Sequence, residues 1–146
     1  IAQLVDDVTE IMQYSTKSHR IIICSEAGNI NVNADKQRIE QVIINLLSNA
    51  IKYSPESGHV NITVSKNDDT VSVEVQDFGI GISKDQQQRI FSRFYRVDDI
   101  ASHISGLGIG LYISNEIIKR HKGSLSVTSN AGKGSVFKFD IPAIQA

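Results

Sequence analysis

The sequence is short of cysteine, proline, tryptophan and net charge, and each shortage excludes something. Cys24 is the one thiol in 146 residues, so there is no intrachain disulfide framework. It ends the run Ile21-Ile22-Ile23-Cys24, which reads as buried strand filler in a reducing compartment rather than a reactive thiol. No run of about 18 apolar residues occurs, so no helical membrane span is expected. No signal-peptide pattern is visible and the first residue is Ile, so the chain reads as a fragment of a longer protein. The net charge of −1 provides no basic field for nucleic acid. His19, His59, His103 and His121 have no mutual metal spacing, and no cysteine cluster supports zinc. None is assigned to catalysis; His121 is expected to serve a helix C-terminus.

What is present suffices for one globular domain with a core: 40% of the residues are hydrophobic. Helical spacing is expected over 1–17, from Leu4, Val5, Val8, Ile11 and Met12. A strand at 20–24 and a short one at 30–32 follow. Asp35 reads as the N-cap of a long helix to about Tyr53, stopped by Ser54-Pro55-Glu56-Ser57-Gly58. Period-two alternation over 60–65 and 71–76 predicts an antiparallel hairpin. Ser83 and Gln86 form a capping box for a helix to about Ser92. Residues 94–107 are the least patterned and read as a mobile loop. A helix over 108–121, ended by Gly123, precedes a closing hairpin of 125–128 with 135–141. The expected class is α+β: a two-layer sandwich, with helices on one face of a mixed, mostly antiparallel sheet.

Three stretches carry chemistry: Asn45-Leu46-Leu47-Ser48-Asn49-Ala50-Ile51-Lys52-Tyr53, Asp77-Phe78-Gly79-Ile80-Gly81-Ile82 and Gly106-Leu107-Gly108-Ile109-Gly110-Leu111. In the first, Gln41, Asn45, Asn49 and Lys52 stack on one helix face. Such a face is either solvated or a source of a neutral oxygen for Mg²⁺ and an ammonium for phosphates. The second is either a turn or a carboxylate able to accept from an exocyclic amine, beside glycines that let backbone approach a flat ring. Ile80 and Ile82 would add apolar surface. The third opens a helix, so it is a hinge or a phosphate cradle of free amides. Its spacing is neither the dinucleotide fingerprint nor a Walker loop. Phe91-Ser92-Arg93-Phe94-Tyr95-Arg96 lies between them, as core filler with solvated charges or as a lid whose arginines reach a terminal phosphate.

In this order the motifs resemble the N, G1, F and G2 boxes of the catalytic ATP-binding domain of bacterial sensor histidine kinases, over about 34–142. The resemblance implies the Bergerat ATP-binding sandwich shared with Hsp90, DNA gyrase and MutL, with a mobile ATP lid. It implies ATP and Mg²⁺ as ligands, with Asn49 on the metal and Asn45 as the other N-box asparagine. Lys52 and Tyr53 fall beside the phosphates, and Asp77 on adenine with Gly79, Gly81 and Ile82 behind it. Arg96 falls at the γ-phosphate. Gly106, Leu107, Gly108, Ile109, Gly110 and Leu111 fall along the phosphate chain. Leu107 stands where many relatives carry Thr or Ser, so only backbone contacts are expected there. Asn45, Lys52 and Arg96 are the residues expected to bear on transfer.

The resemblance also implies that ATP-hydrolysing relatives carry a Glu four residues before the metal asparagine, as general base. Here that residue is Asn45. The nearest upstream carboxylate, Glu40, lies about 180° around the helix from Asn49. Poor hydrolysis is therefore expected, with the γ-phosphate passing to a histidine on a separate dimerisation domain and then to a response regulator aspartate. No His in this chain is followed by an acid, so the fragment alone is expected to bind ATP or ADP without autophosphorylating. Residues 1–17 are expected to be the end of a linker helix or the domain's first helix, and 18–146 the catalytic domain. The expected parent is a homodimer whose catalytic domain is cytoplasmic, with an anchor in the inner membrane possible upstream. The alternatives are an ATPase of the same superfamily and a degenerate nucleotide-binding interaction module.

Overall fold

A computed structural model describes residues 1–25, 30–93 and 109–144. Its elements are α1 (Ala2–Ser15), β1 (Arg20–Ser25), α2 (Lys36–Lys52), β2 (His59–Lys66), β3 (Thr70–Asp77), α3 (Lys84–Gln87), α4 (Gly110–Arg120), β4 (Ser124–Ser129) and β5 (Ser135–Pro142). The five strands form one sheet in the order β1-β2-β3-β5-β4. β1 runs parallel to β2, and the other three pairings are antiparallel. The mixed sheet and its helical layer are the expected two-layer α+β arrangement.

Alternation decides which strand residues meet the helices. Val60, Ile62 and Val64 on β2, Val71, Val73 and Val75 on β3, and Phe137, Phe139 and Ile141 on β5 are buried. They join Val5 and Val8 of α1, Ile39, Val42, Ile43, Leu46 and Leu47 of α2, and Ile117 and Ile118 of α4 in one core. Burying each such side chain contributes about 1.5–3 kcal/mol. The apolar face read from the α2 sequence is the face that is buried.

Caps formed largely as the sequence predicts. The Asp35 side chain accepts from Arg38 N at 3.2 Å, and Ser83 Oγ accepts from Gln86 N at 3.4 Å. At the end of α4, His121 Nδ1 lies 2.7 Å from Ile117 O. Its Nε2 accepts from Asp35 N at 3.0 Å, so one imidazole joins the C-terminus of α4 to the start of α2. The carbonyl can only accept, which puts the proton on Nδ1.

Four expectations are corrected. Residues 30–32 are not a strand; Val32 makes only an isolated bridge to Ala143. The α-helix after Ser83 stops at Gln87. There Gln87 Nε2 donates to Ile82 O and Ser129 O at 2.8 and 2.9 Å, and the chain continues as turns. The last helix begins at Gly110 rather than Gly108. Cys24 is exposed, not buried, because β1 is an edge strand and Cys24 alternates away from the helices. The expected lid over 94–107 lies outside the described residues. Among the described residues, no helix is long and apolar enough to cross a membrane.

Candidate nucleotide site

The C-terminal half of α2 borders the start of α4 and the loop after β3. Asn45 Nδ2 donates to Ser114 Oγ at 3.2 Å and to Gly110 O at 3.4 Å, tying α2 to the first turn of α4. Gly110 O must accept, which orients the amide with its nitrogen toward α4. Asn49, one turn on, is half-buried, and its side chain has no partner among the described residues. Lys52 is exposed at the helix end. Half-buried Tyr53 ends α2, its N–H donating to Asn49 O at 2.9 Å.

Asp77 closes β3 with its carboxylate buried. Gly79 N donates to Asp77 Oδ1 at 3.0 Å. Burial pushes the Asp77 carboxyl above its ordinary range, opposed by backbone hydrogen bonds from Gly79 and Ser135. A desolvated carboxylate held in place by backbone amides is preorganised to accept from a ligand N–H.

The loop after Asp77 is held from two sides. Ile80 N donates to Tyr53 O at 3.3 Å, and Gly132 N donates to Ile80 O at 2.6 Å. Ile82 N donates to Ser129 Oγ at 2.8 Å, which itself contacts Gly134 O and Ser135 Oγ, each at 2.8 Å. The two glycines therefore have a structural reason besides the one expected. A Cβ on Gly79 would collide with Tyr53 O, and one on Gly81, whose φ is +70°, with Asn130 O. They let protein backbone approach protein backbone, which fixes the loop. Ile82 packs at the core margin. Exposed Phe78 lies over His59, ring centroids 4.6 Å apart.

The first turn of α4 is built differently. Ile109 stands at its N-cap without a side-chain cap hydrogen bond. Gly110, Leu111 and the residues after them thus begin a helix that its own N-cap residue does not cap, and free amides at a helix start suit phosphate oxygens. The structure so joins the first stretch to both others. Arg96, Gly106, Leu107 and Gly108 lie outside the described residues.

Sequence reading missed several supports. Gly134, in the turn of the closing hairpin, has φ +89°, and a Cβ there would strike Asp77 O. Ser114 and Ser129 had no local signal. His19 is buried against Ser54.

Comparison with known proteins agrees with this geometry. The family model described as histidine kinase-, DNA gyrase B- and HSP90-like ATPase matches residues 34–145. The chain belongs to this family. It is 38% identical over 143 residues to the sensor histidine kinase RppB of Synechocystis sp., which covers 95% of this chain and 31% of that protein. It is 40% identical over 117 residues to the sensor histidine kinase WalK of Bacillus subtilis, covering 78% of this chain and 19% of that one. The chain thus spans about a third or less of these relatives' length.

Among solved structures, the catalytic domain of histidine kinase ThkA superposes with a TM-score of 0.82 at 31% identity, covering 97% of this chain and 92% of that chain. Full-length ShkA in complex with AMPPNP superposes at 0.86 with 29% identity, over 99% of this chain and 30% of that one. By sequence and fold, the family member described here is a catalytic ATP-binding domain of the sensor histidine kinase type.

Proposed function

We propose that this domain binds ATP with Mg²⁺ and holds the γ-phosphate for transfer to a histidine on a separate dimerisation domain. A response regulator aspartate is then the onward acceptor, in a homodimeric parent. The observation that carries this reading is Asn45. It stands four residues before Asn49, where a hydrolase would need a carboxylate, and an amide cannot take a proton from water. Its nitrogen is engaged by Gly110 O and Ser114 Oγ. The nucleophile must therefore arrive with its own base.

Each remaining group has a role of its own. The Asp77 carboxylate accepts from the exocyclic amine of adenine. Gly79, Gly81 and Ile82 hold the loop that faces the base. Asn49 presents a neutral amide oxygen, and among the described residues no cluster of three His, Cys, Asp or Glu stands beside it. That donor fits an ion that brings phosphate and water oxygens with it, and leaves the ion's charge to the phosphates. When bound, Mg²⁺ supplies charge neutralisation at the phosphate oxygens. Lys52 adds an ammonium at the same end of α2, and Tyr53 borders it. Ile109, Gly110 and Leu111 offer backbone N–H groups to the phosphate chain, with Gly106, Leu107 and Gly108 before them and Arg96 as the lid arginine at the γ-phosphate.

The test is calorimetric titration of the chain with Mg-ADP. Binding that falls at least about 100-fold in Asp77→Asn is expected, since the amide presents an NH₂ where an acceptor is needed. Unchanged affinity in that variant would refute the adenine assignment.

A further inference from the structure

Buried His19 lies at the start of β1, outside every stretch assigned to the nucleotide. Its Nε2 is 2.6 Å from Ser54 O, and its Nδ1 is 2.7 Å from Ser18 Oγ. A carbonyl only accepts, so Nε2 carries the proton. Ser54 is fully buried, and its hydroxyl donates to Ala50 O at 2.5 Å. The preceding carbonyl, Tyr53 O, is the one that accepts from Ile80 N and against which Gly79 packs. One imidazole therefore holds the Ser54–Pro55 peptide, the unit next in the chain to the Tyr53–Ser54 peptide on which the loop after Asp77 rests.

His19 is itself held from α1. Gln13 Nε2 donates to His19 O at 2.9 Å, and Gln13 Oε1 accepts from Ile21 N at 2.8 Å. Arg20 N donates to Gly58 O at 2.9 Å, so both strands beside the turn after α2 share the clamp. Hydrogen bonds and one covalent step, from Ser54 to Tyr53, make a path from α1 through Gln13 and His19 to Ile80.

We propose that His19 is a positioning residue for the nucleotide site: it latches the Ser54–Pro55 peptide, next in the chain to the Tyr53 carbonyl that holds Ile80 N, and couples α1 to the loop after Asp77. The proposal rests on the nucleotide reading given above. The latch touches no ligand atom. Its effect is to keep the Tyr53 carbonyl where Ile80 N and Gly79 require it, so a displacement of α1 changes how well the loop fits a base. Coupling through such a packed, hydrogen-bonded network changes affinity by roughly 2- to 30-fold.

The test compares His19→Leu, His19→Gln and the parent chain, titrated with Mg-ADP at a temperature where each is fully folded by circular dichroism. The leucine side chain fills space without a donor, whereas a glutamine Nε2 can replace the imidazole N–H. The expected result is weaker ADP binding in His19→Leu, by roughly 2- to 30-fold, and recovery of most of it in His19→Gln. The Ile80 amide resonance should move in the leucine variant and return in the glutamine variant. In the parent, ADP should shift the side-chain amide resonances of Gln13. If His19→Leu does not fold, Gln13→Leu takes its place and should weaken ADP in the same direction by a smaller factor. Parental affinity in the folded leucine variant, or no recovery with glutamine, overturns the latch. No ADP binding by the parent overturns the nucleotide reading instead.

Discussion

The two ends of the candidate site are built on opposite plans. The proposed adenine side is anchored by backbone. Asp77, Gly79, Ile80 and Ile82 are fixed by Tyr53, Ser129, Gly132 and Ser135, and three glycines in left-handed or collision-limited positions allow that packing. The proposed phosphate side has fewer such ties among the described residues. α2 and α3 have side-chain caps at their N-termini, while α4 starts at Ile109 with none. The first turn of α4 is tied to α2 by the Asn45 amide, through bonds of 3.2 and 3.4 Å. A base needs a rigid, shaped slot. A phosphate chain needs uncommitted donors and room for an ion.

The comparison can be broken most severely at Gly79. Gly79→Ala drives a methyl group into Tyr53 O, and a loss of about 3 kcal/mol in urea unfolding, with loss of ADP binding, is expected. The contrasting substitution is Gly110→Ala. There the nearest side-chain atom to a new Cβ is Asn45 Cγ at 3.8 Å, an ordinary contact. Its stability should stay within about 1 kcal/mol of the parent, on the stabilising side. Equal losses at the two glycines would erase the distinction.

Asp77→Asn separates stability from binding. The native carboxyl titrates above its unfolded value because burial disfavours the charge. The native state thus holds the proton more tightly, and ionisation costs stability above the raised native pKa. That cost is absent below the unfolded pKa of about 4. Asp77→Asn should therefore unfold at higher temperature than the parent at pH 7 while binding ADP far more weakly, with the stability gap closing as pH falls through the raised pKa. Melting curves across pH check the sign.

Asn45→Asp probes the proposed phosphate side. It sets a carboxylate oxygen against Gly110 O, and a loss of about 1–2 kcal/mol is expected from the broken tie. No gain in ATP hydrolysis should accompany it, because a charge repelled by Gly110 O is not held toward a water. A large gain would show that the residue type alone, and not its tie to α4, separates transfer from hydrolysis.

Local signals were legible in the sequence and distant ones were not. The α2 face, the Asp35 and Ser83 caps and the strands on either side of the 67–69 turn follow from spacing and short-range chemistry, and all stand in the fold. The family resemblance, carried by motif order, agrees with the family match and the solved structures. Cys24 was misplaced because edge position depends on which strand lacks a neighbour. The helix after Ser83 was read too long because Gln87 is claimed by Ser129, 42 residues away. Gly79 and Gly81 have a further role that the sequence did not show, since the surfaces they touch come from Tyr53 and Asn130. His19 was passed over because nothing near it in sequence points to Ser54.

The most direct test of the central claim follows labelled ATP on this chain alone and on the chain together with the proposed histidine-bearing dimerisation domain. The account predicts bound, unhydrolysed ATP in the first case and acid-labile label on a histidine in the second. Rapid steady-state hydrolysis by the chain alone, with no histidine label in the second case, would contradict it.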